Sequence, residues 1–192
     1  MIKNFFKHLG LVIKHRHHVF INCCKCGLPW RGLMHDLSKF SWLELKESVK
    51  YYNGKVSPLV ICRQVNGHSL ACIHHTNKNK HHIEYWYDHQ CTEQIDMPYK
   101  YAVEAVCDKI AANKCYFGKE YTVHHPLKHW QEKGRFSPTN DRMRNFFTAV
   151  FNDLITLGEK GILNKKYMKA TYNKYVLLKN EKGATSGKNI NK

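Results

Sequence analysis

Apolar residues recur at three- and four-residue spacing along almost the whole chain, and this periodicity restricts the fold more than any other feature. Ile2, Phe5, Phe6, Leu9, Val12 and Ile13 form one stripe, which runs on through Val19, Phe20 and Cys23. It stops at Gly27-Leu28-Pro29, where a glycine able to turn left-handed precedes a proline that cannot continue a helix. A short helix is expected over 30–39. Ser41-Trp42-Leu43-Glu44 is a capping box, so another helix starts at Ser41 and should end near Asn53-Gly54. Ser57-Pro58 opens the next, with proline at its first position. Gly67-His68-Ser69 breaks the chain before a helix over about 69–75, and 76–80 reads as a polar loop. Asp96-Met97-Pro98 starts a long helix over about 98–116, and His124-His125-Pro126 reads as a further helix start. After breaks at Gly134 and Ser137-Pro138, Thr139 can cap a helix through Leu157, and a last helix covers about 162–178. There is no sustained alternation of the kind a strand needs, and no internal repeat. The expected class is all-α. One helical domain should span 1–178, with its motifs within 14–116 and C-terminal helices at about 139–178.

Charge is the second constraint. The chain has 192 residues, with 31 Lys+Arg against 15 Asp+Glu, a net charge of +16. Half of that excess lies in 160–192, where nine lysines face one acid, Glu181. Residues 179–192 are polar and rich in Lys, Asn, Gly and Ser, and are expected to form a mobile basic tail. Such a surface suits an anionic partner, and the basic C-terminal region offers a route to nucleic acid. With 43% hydrophobic residues, the bulk of the chain can build a core. No apolar run reaches the roughly 20 residues of a membrane span, so no membrane partner is expected. The basic N-terminus lacks a small-residue cleavage site, and the chain is expected in the cytoplasm. That agrees with the eight cysteines, which lie in helical apolar stretches and read as reduced thiols. Cys23 and Cys26 form one C-x-x-C with no second pair at zinc-finger spacing.

Fourteen histidines are the compositional anomaly. The informative ones stand in order as His15/His17/His18, His35-Asp36, His68, His74-His75 and His81-His82, followed by Asp108. Imidazole and carboxylate are the usual ligands of zinc, manganese and iron. On a continuous helix, adjacent side chains point about 100° apart. A metal held by both His35 and Asp36 must therefore sit off the helix end, and other helices must complete its ligands. Asp36 lies among apolar residues, where an unpartnered carboxylate is costly; pairing with Lys39 or Arg31 is the alternative to a ligand role. Asp108, between Val106-Cys107 and Ile110-Ala111-Ala112, poses the same choice, with Lys109 or Arg16 as alternative partners.

This order of motifs resembles the HD-domain metal-dependent phosphohydrolases. Arg31-Gly32-Leu33-Met34-His35-Asp36-Leu37-Ser38-Lys39 is similar to that family's His-Asp motif, with Ser38 where glycine is usual. His15-Arg16-His17-His18-Val19 resembles its first-helix histidine, and Val106-Cys107-Asp108-Lys109-Ile110 its late metal-binding aspartate. The stretches GLMHDLSKFS and HHTNKNKHHIEYW look most like an uncharacterised bacterial and phage family of HD type. The resemblance covers about the first 130 residues. It implies one or two divalent transition metals per chain (Mn, Fe, Zn, Ni or Co), held by His15, His35, Asp36, His75, His82 and Asp108. His17, His18, His74 and His81 are the alternates, and Asp36 is the bridge between two metals. The implied activity is hydrolysis of a nucleotide or related phosphoester by a metal-activated water, with Asp36 and Lys39 as catalytic groups. Arg63, Lys78 and Lys80 are expected to bind the substrate's phosphate. Two other readings use the same residues: a di-iron oxygenase of HD-like fold, and a nucleic-acid-binding protein with a structural metal.

Overall fold

A 24-residue helix, α1 (Ile2–Lys25), opens the chain and ends where Gly27 turns at φ 76°. The computed structural model of the chain describes residues 2–92, 94–134 and 137–178. Then come α2 (Pro29–Met34), a 3-10 turn at Leu37–Phe40, α3 (Trp42–Lys50), α4 (Pro58–Asn66) and α5 (Leu70–Lys78). A second 3-10 turn at Ile83–Trp86 leads to α6 (Tyr99–Phe117), α7 (His124–Glu132), α8 (Asp141–Ile162) and α9 (Lys165–Tyr172). Among the described residues every regular element is helical, as the periodicity requires. No helix among them is long and apolar enough to cross a membrane. The basic tail expected at 179–192 lies outside the described residues.

The core is built around α6. Its Ala102, Val103, Ala105, Val106, Cys107, Ile110 and Ala111 are all buried, because α1 packs on one flank and α7–α9 close the other. From α8 come Phe146, Phe147, Val150, Phe151 and Leu154, and from α9 Met168, all without solvent exposure. All eight cysteines are free thiols. Cys26 and Cys107 meet in this core, their sulfurs 3.9 Å apart.

Several local features differ from what the sequence alone suggests. The apolar stripe of α1 does not face inward throughout: Ile2, Phe6, Ile13 and Phe20 are exposed, while His8, His15 and Asn22 are buried beside Val12, Val19 and Cys23. Of these, His15 enters a polar cluster, His8 packs against Tyr52 and Asn22 donates to the carbonyl of Cys107, so burial on this face does not follow hydropathy. The helix expected over 30–39 is interrupted at His35-Asp36. The helix expected to end near residue 75 continues to Lys78, with the amide of Asn79 still donating to the carbonyl of His75. Asn140 rather than Thr139 caps α8, accepting from the amide of Met143 at 2.9 Å. That helix passes Leu157 and runs to Ile162 across a kink at Gly158, so the last helix starts later, where Asn164 caps α9.

Candidate metal centre

The interruption after α2 builds the site. Asp36 has φ 52° and ψ 32°, and is the one non-glycine residue with positive φ among those described. Aspartate tolerates this left-handed region better than most residues, but the conformation still costs about 1–2 kcal/mol. Its effect is to point two sequence neighbours into one space: His35 Nε2 lies 3.3 Å from Asp36 Oδ2. Arg16 of α1 fixes this helix end, its guanidinium donating to the carbonyls of His35 and Leu33 at 2.8 Å each. Gly32 lets α2 approach α1, since a Cβ there would lie 2.8 Å from Phe20 Cα and Cys23 Cβ.

Two groups of donor atoms converge on Asp36, one at each carboxylate oxygen. On the Oδ2 side stand His15, His35 and Asp108. His15 Nε2 is 3.0 Å from Asp108 Oδ1 and 3.3 Å from His35 Nε2. On the Oδ1 side stand His75, His81 and His82. His75 Nε2 and His81 Nε2 each lie 3.4 Å from Oδ1. Within each group the donor atoms lie within 4.8 Å of one another, close enough to share a cation. Asp36 Oδ1, His81 Nε2 and His82 Nε2 are buried with no hydrogen-bond partner. Buried polar atoms are rarely left unpaired, so three orphans facing one point fit a missing positive partner. The donors are mixed nitrogen and oxygen, which suits zinc, manganese or iron.

Two carboxylates behind the histidines fix their orientation. Glu104 of α6, fully buried, accepts from His35 Nδ1 at 3.0 Å on Oε1, which also lies 3.4 Å from His81 Nδ1. Its Oε2 takes the Arg31 guanidinium, at 2.7 Å from Nε and 2.6 Å from Nη2. Glu44 of α3 lies 2.9 Å from His75 Nδ1 and 2.8 Å from His74 Nδ1. Each carboxylate keeps a proton on Nδ1, so Nε2 is the atom left to ligate once a cation displaces any proton there. Glu104 also closes a third group with His35 and His81, but it faces their Nδ1 atoms, away from Asp36.

The electrostatics follow from burial opposed by charge. Burial alone would raise Asp36 and Asp108; His35 and Lys39 outweigh it at Asp36, and His15 and His35 at Asp108, so both stay well below the usual carboxylate range. Burial depresses His35, but Asp36, Asp108 and Glu104 together hold its proton well above the ordinary imidazole value. His15 and His81 are lowered, first by burial and then by Lys39 and His35 respectively. Lys39 is partly buried, which lowers its pKa, but its Nζ sits 2.7 Å from Asp36 Oδ2, and that carboxylate raises it on balance. Of the partners weighed for Asp36, Lys39 is in contact and Arg31 is engaged with Glu104 instead.

The residues expected in a site are not all gathered here. His15, His35, Asp36, His75, His82 and Asp108 are, and the alternate His81 joins them. His17 is exposed on the outer side of α1, and His18 stands near Lys14 and Lys114, so neither enters either group. His74 turns to Glu44. Lys78 and Lys80 line an open groove beside the cluster, whereas Arg63 does not line it and points at Cys72. The two supporting acids, Glu104 and Glu44, are absent from the expected set. Glu104 stands in the same apolar helical stretch as Asp108, one turn earlier, and carried the same signal of a buried acid. Glu44 was assigned to the capping box, whose serine does accept from the Glu44 amide while the carboxylate turns to the histidines.

No curated protein and no solved structure matches the chain. A family model matches residues 4–153, a span that contains every side chain of the cluster. The chain therefore belongs to the family of unknown function DUF5662.

Proposed function

We propose that the chain is a metal-dependent phosphohydrolase acting on a nucleotide or related phosphoester. The observation that carries this reading is Asp36, whose two oxygens face two separate histidine-rich groups. His15, His35 and Asp108 would hold one divalent transition metal and His75, His81 and His82 a second, with Asp36 between them. Such a pair supplies Lewis acidity, which lowers the pKa of water and withdraws charge from phosphate oxygens. Glu104 and Glu44 keep the ligating nitrogens aimed. Lys39 places a positive charge at the edge of the cluster, its side chain 27% exposed and able to meet an anion. The resemblance to HD-domain hydrolases supports the same chemistry, and the free thiols suit a cytoplasmic setting.

The test is phosphate release from a panel of nucleotides by protein purified without chelator, beside metal content by elemental mass spectrometry. Asp36→Asn is the informative variant, because asparagine also tolerates positive φ and keeps the backbone turn. The expected result is one or two metals per chain in the wild type, with metal depleted and turnover reduced about 100-fold or more in the variant. Unchanged metal content and turnover in Asp36→Asn would overturn the reading. Iron with oxygen consumption and no phosphate release would replace it with the oxidase chemistry.

A further inference from the structure

A groove of about 520 Å³ opens beside the cluster, lined by Arg31, Lys78, Lys80 and Tyr101, with Met34 and Leu37 contributing apolar surface. That volume falls in the range of small-molecule sites. Its position relative to the metal ligands is informative. Ser38 and Asn79 also line it, and both contact His75 at Nδ1, at 3.3 and 3.2 Å. Arg31 lines it and holds Glu104, which sits on the Nδ1 side of His35 and His81. The groove therefore reaches the cluster from behind the histidine rings, whereas the Nε2 atoms converge on Asp36 from the other side. A ligand in the groove would be separated from the metal positions by imidazole rings and by Glu44 and Glu104.

The groove's charge is uncompensated. Arg31 is satisfied by Glu104, but among the described residues neither Lys78 nor Lys80 has a carboxylate partner, and both are exposed. Tyr101 gathers cations as well: Arg31 Cζ lies 4.7 Å from its ring centroid, Lys100 Nζ 5.0 Å and Lys80 Nζ 5.9 Å, and Lys80 Nζ also lies 5.5 Å from the Tyr85 centroid. Two ammonium groups without a carboxylate partner, beside Arg31, Tyr101 and an apolar edge, match a ligand with a phosphate at one end and a planar ring at the other.

We propose that this groove is a binding site for a nucleotide-type organic phosphate, separate from the metal cluster and not requiring it. Lys78 and Lys80 take the phosphate, and Met34, Leu37 and Tyr101 take the base. The site does not depend on the phosphohydrolase reading, and its test leaves the metals out.

The experiment is isothermal titration of the full chain in excess chelator with adenosine monophosphate, inorganic phosphate and adenosine as probes. The expected result is binding of the monophosphate, weakened at least about 10-fold when either the phosphate or the base is missing. Lys78→Gln/Lys80→Gln should weaken it by about 10- to 100-fold. Both residues are on the surface, so the variant keeps its fold, which circular dichroism checks. Binding that disappears in chelator, and in Asp36→Asn, would overturn the proposal by placing the ligand on the metals. So would inorganic phosphate binding as tightly as the nucleotide, indifference to the double substitution, or no binding at all. An affinity that climbs steadily with oligonucleotide length would also overturn it, in favour of a polynucleotide track.

Discussion

Glu104→Gln tests whether a buried acid behind the histidines sets the metal-binding state of those in front. The substitution keeps side-chain volume and removes one charge. The carboxylate serves Arg31 with Oε2, at 2.6 and 2.7 Å, and faces His35 and His81 with Oε1, at 3.0 and 3.4 Å. It is ionised at neutral pH: burial raises its pKa, but the bonds from His35 and His81 outweigh burial and bring it to about 2. An amide has only one acceptor oxygen. If that oxygen stays with the histidines, the NH₂ meets the Arg31 guanidinium, donor against donor. If it turns to Arg31, the NH₂ faces His35 Nδ1. That nitrogen must then accept, so the one ring proton left stands on Nε2, the atom that faces Asp36 and Asp108. Either arrangement loses charge-assisted hydrogen bonds worth about 1.5–3 kcal/mol each, and Arg31, partly exposed, recovers some of the loss in water. The net expectation is about 3 kcal/mol, which for a chain of this size lowers Tm by about 6–12 °C. Metal affinity should fall about 10- to 100-fold, as for other groups that orient ligating histidines. Thermal denaturation in chelator reads the first quantity, and competition against a chromophoric chelator the second. Wild-type values for both would refute the reasoning. A lowered Tm with unchanged metal affinity would show that Glu104 only ties α2 to α6.

Two further outcomes are expected. Gly32→Ala places a methyl 2.8 Å from the backbone Cα of Phe20, which cannot move aside, so about 2 kcal/mol of stability should be lost in chemical denaturation; an unchanged midpoint would show that α1 and α2 separate freely. His8 is buried with its Nδ1 unpartnered, and burial, then Lys39, lowers its pKa from 6.5 to about 4. Between those values the unfolded chain takes up a proton that the folded one refuses, so the stability His8 confers is complete above pH 6.5 and is lost towards pH 4. His8→Leu should flatten the fall in denaturation midpoint over that interval, and parallel wild-type and variant profiles would refute the assignment.

The helical class was legible because 3.6-residue periodicity needs only local sequence, and several boundaries were legible because Ser41, Pro58 and Gly27 act on their own neighbours. The inward face of α1 was not legible, for the opposite reason. Phe6, Ile13 and Phe20 are more apolar than His8 and His15, and hydropathy alone favours burying them. Glu44 was missed because a glutamate in a capping box has an ordinary explanation; Glu104 carried the same signal as Asp108 but has no histidine beside it in the sequence. Their role exists only once His35, His75 and His81 are brought against them from other parts of the chain.

Residue chemistry by itself determined the helices, the supply of imidazole and carboxylate, and the order in which those groups occur. Tertiary structure decided their grouping. A left-handed turn at Asp36 points it at both sets of histidines, and His81, which residue type could not separate from His82, joins it there. Glu104 faces the rings of His35 and His81 from behind and leaves Nε2 toward Asp36. Those outcomes depend on the distances between α1, α2, α5 and α6, and such distances are set by packing across the core rather than by the spacing of residues along the chain.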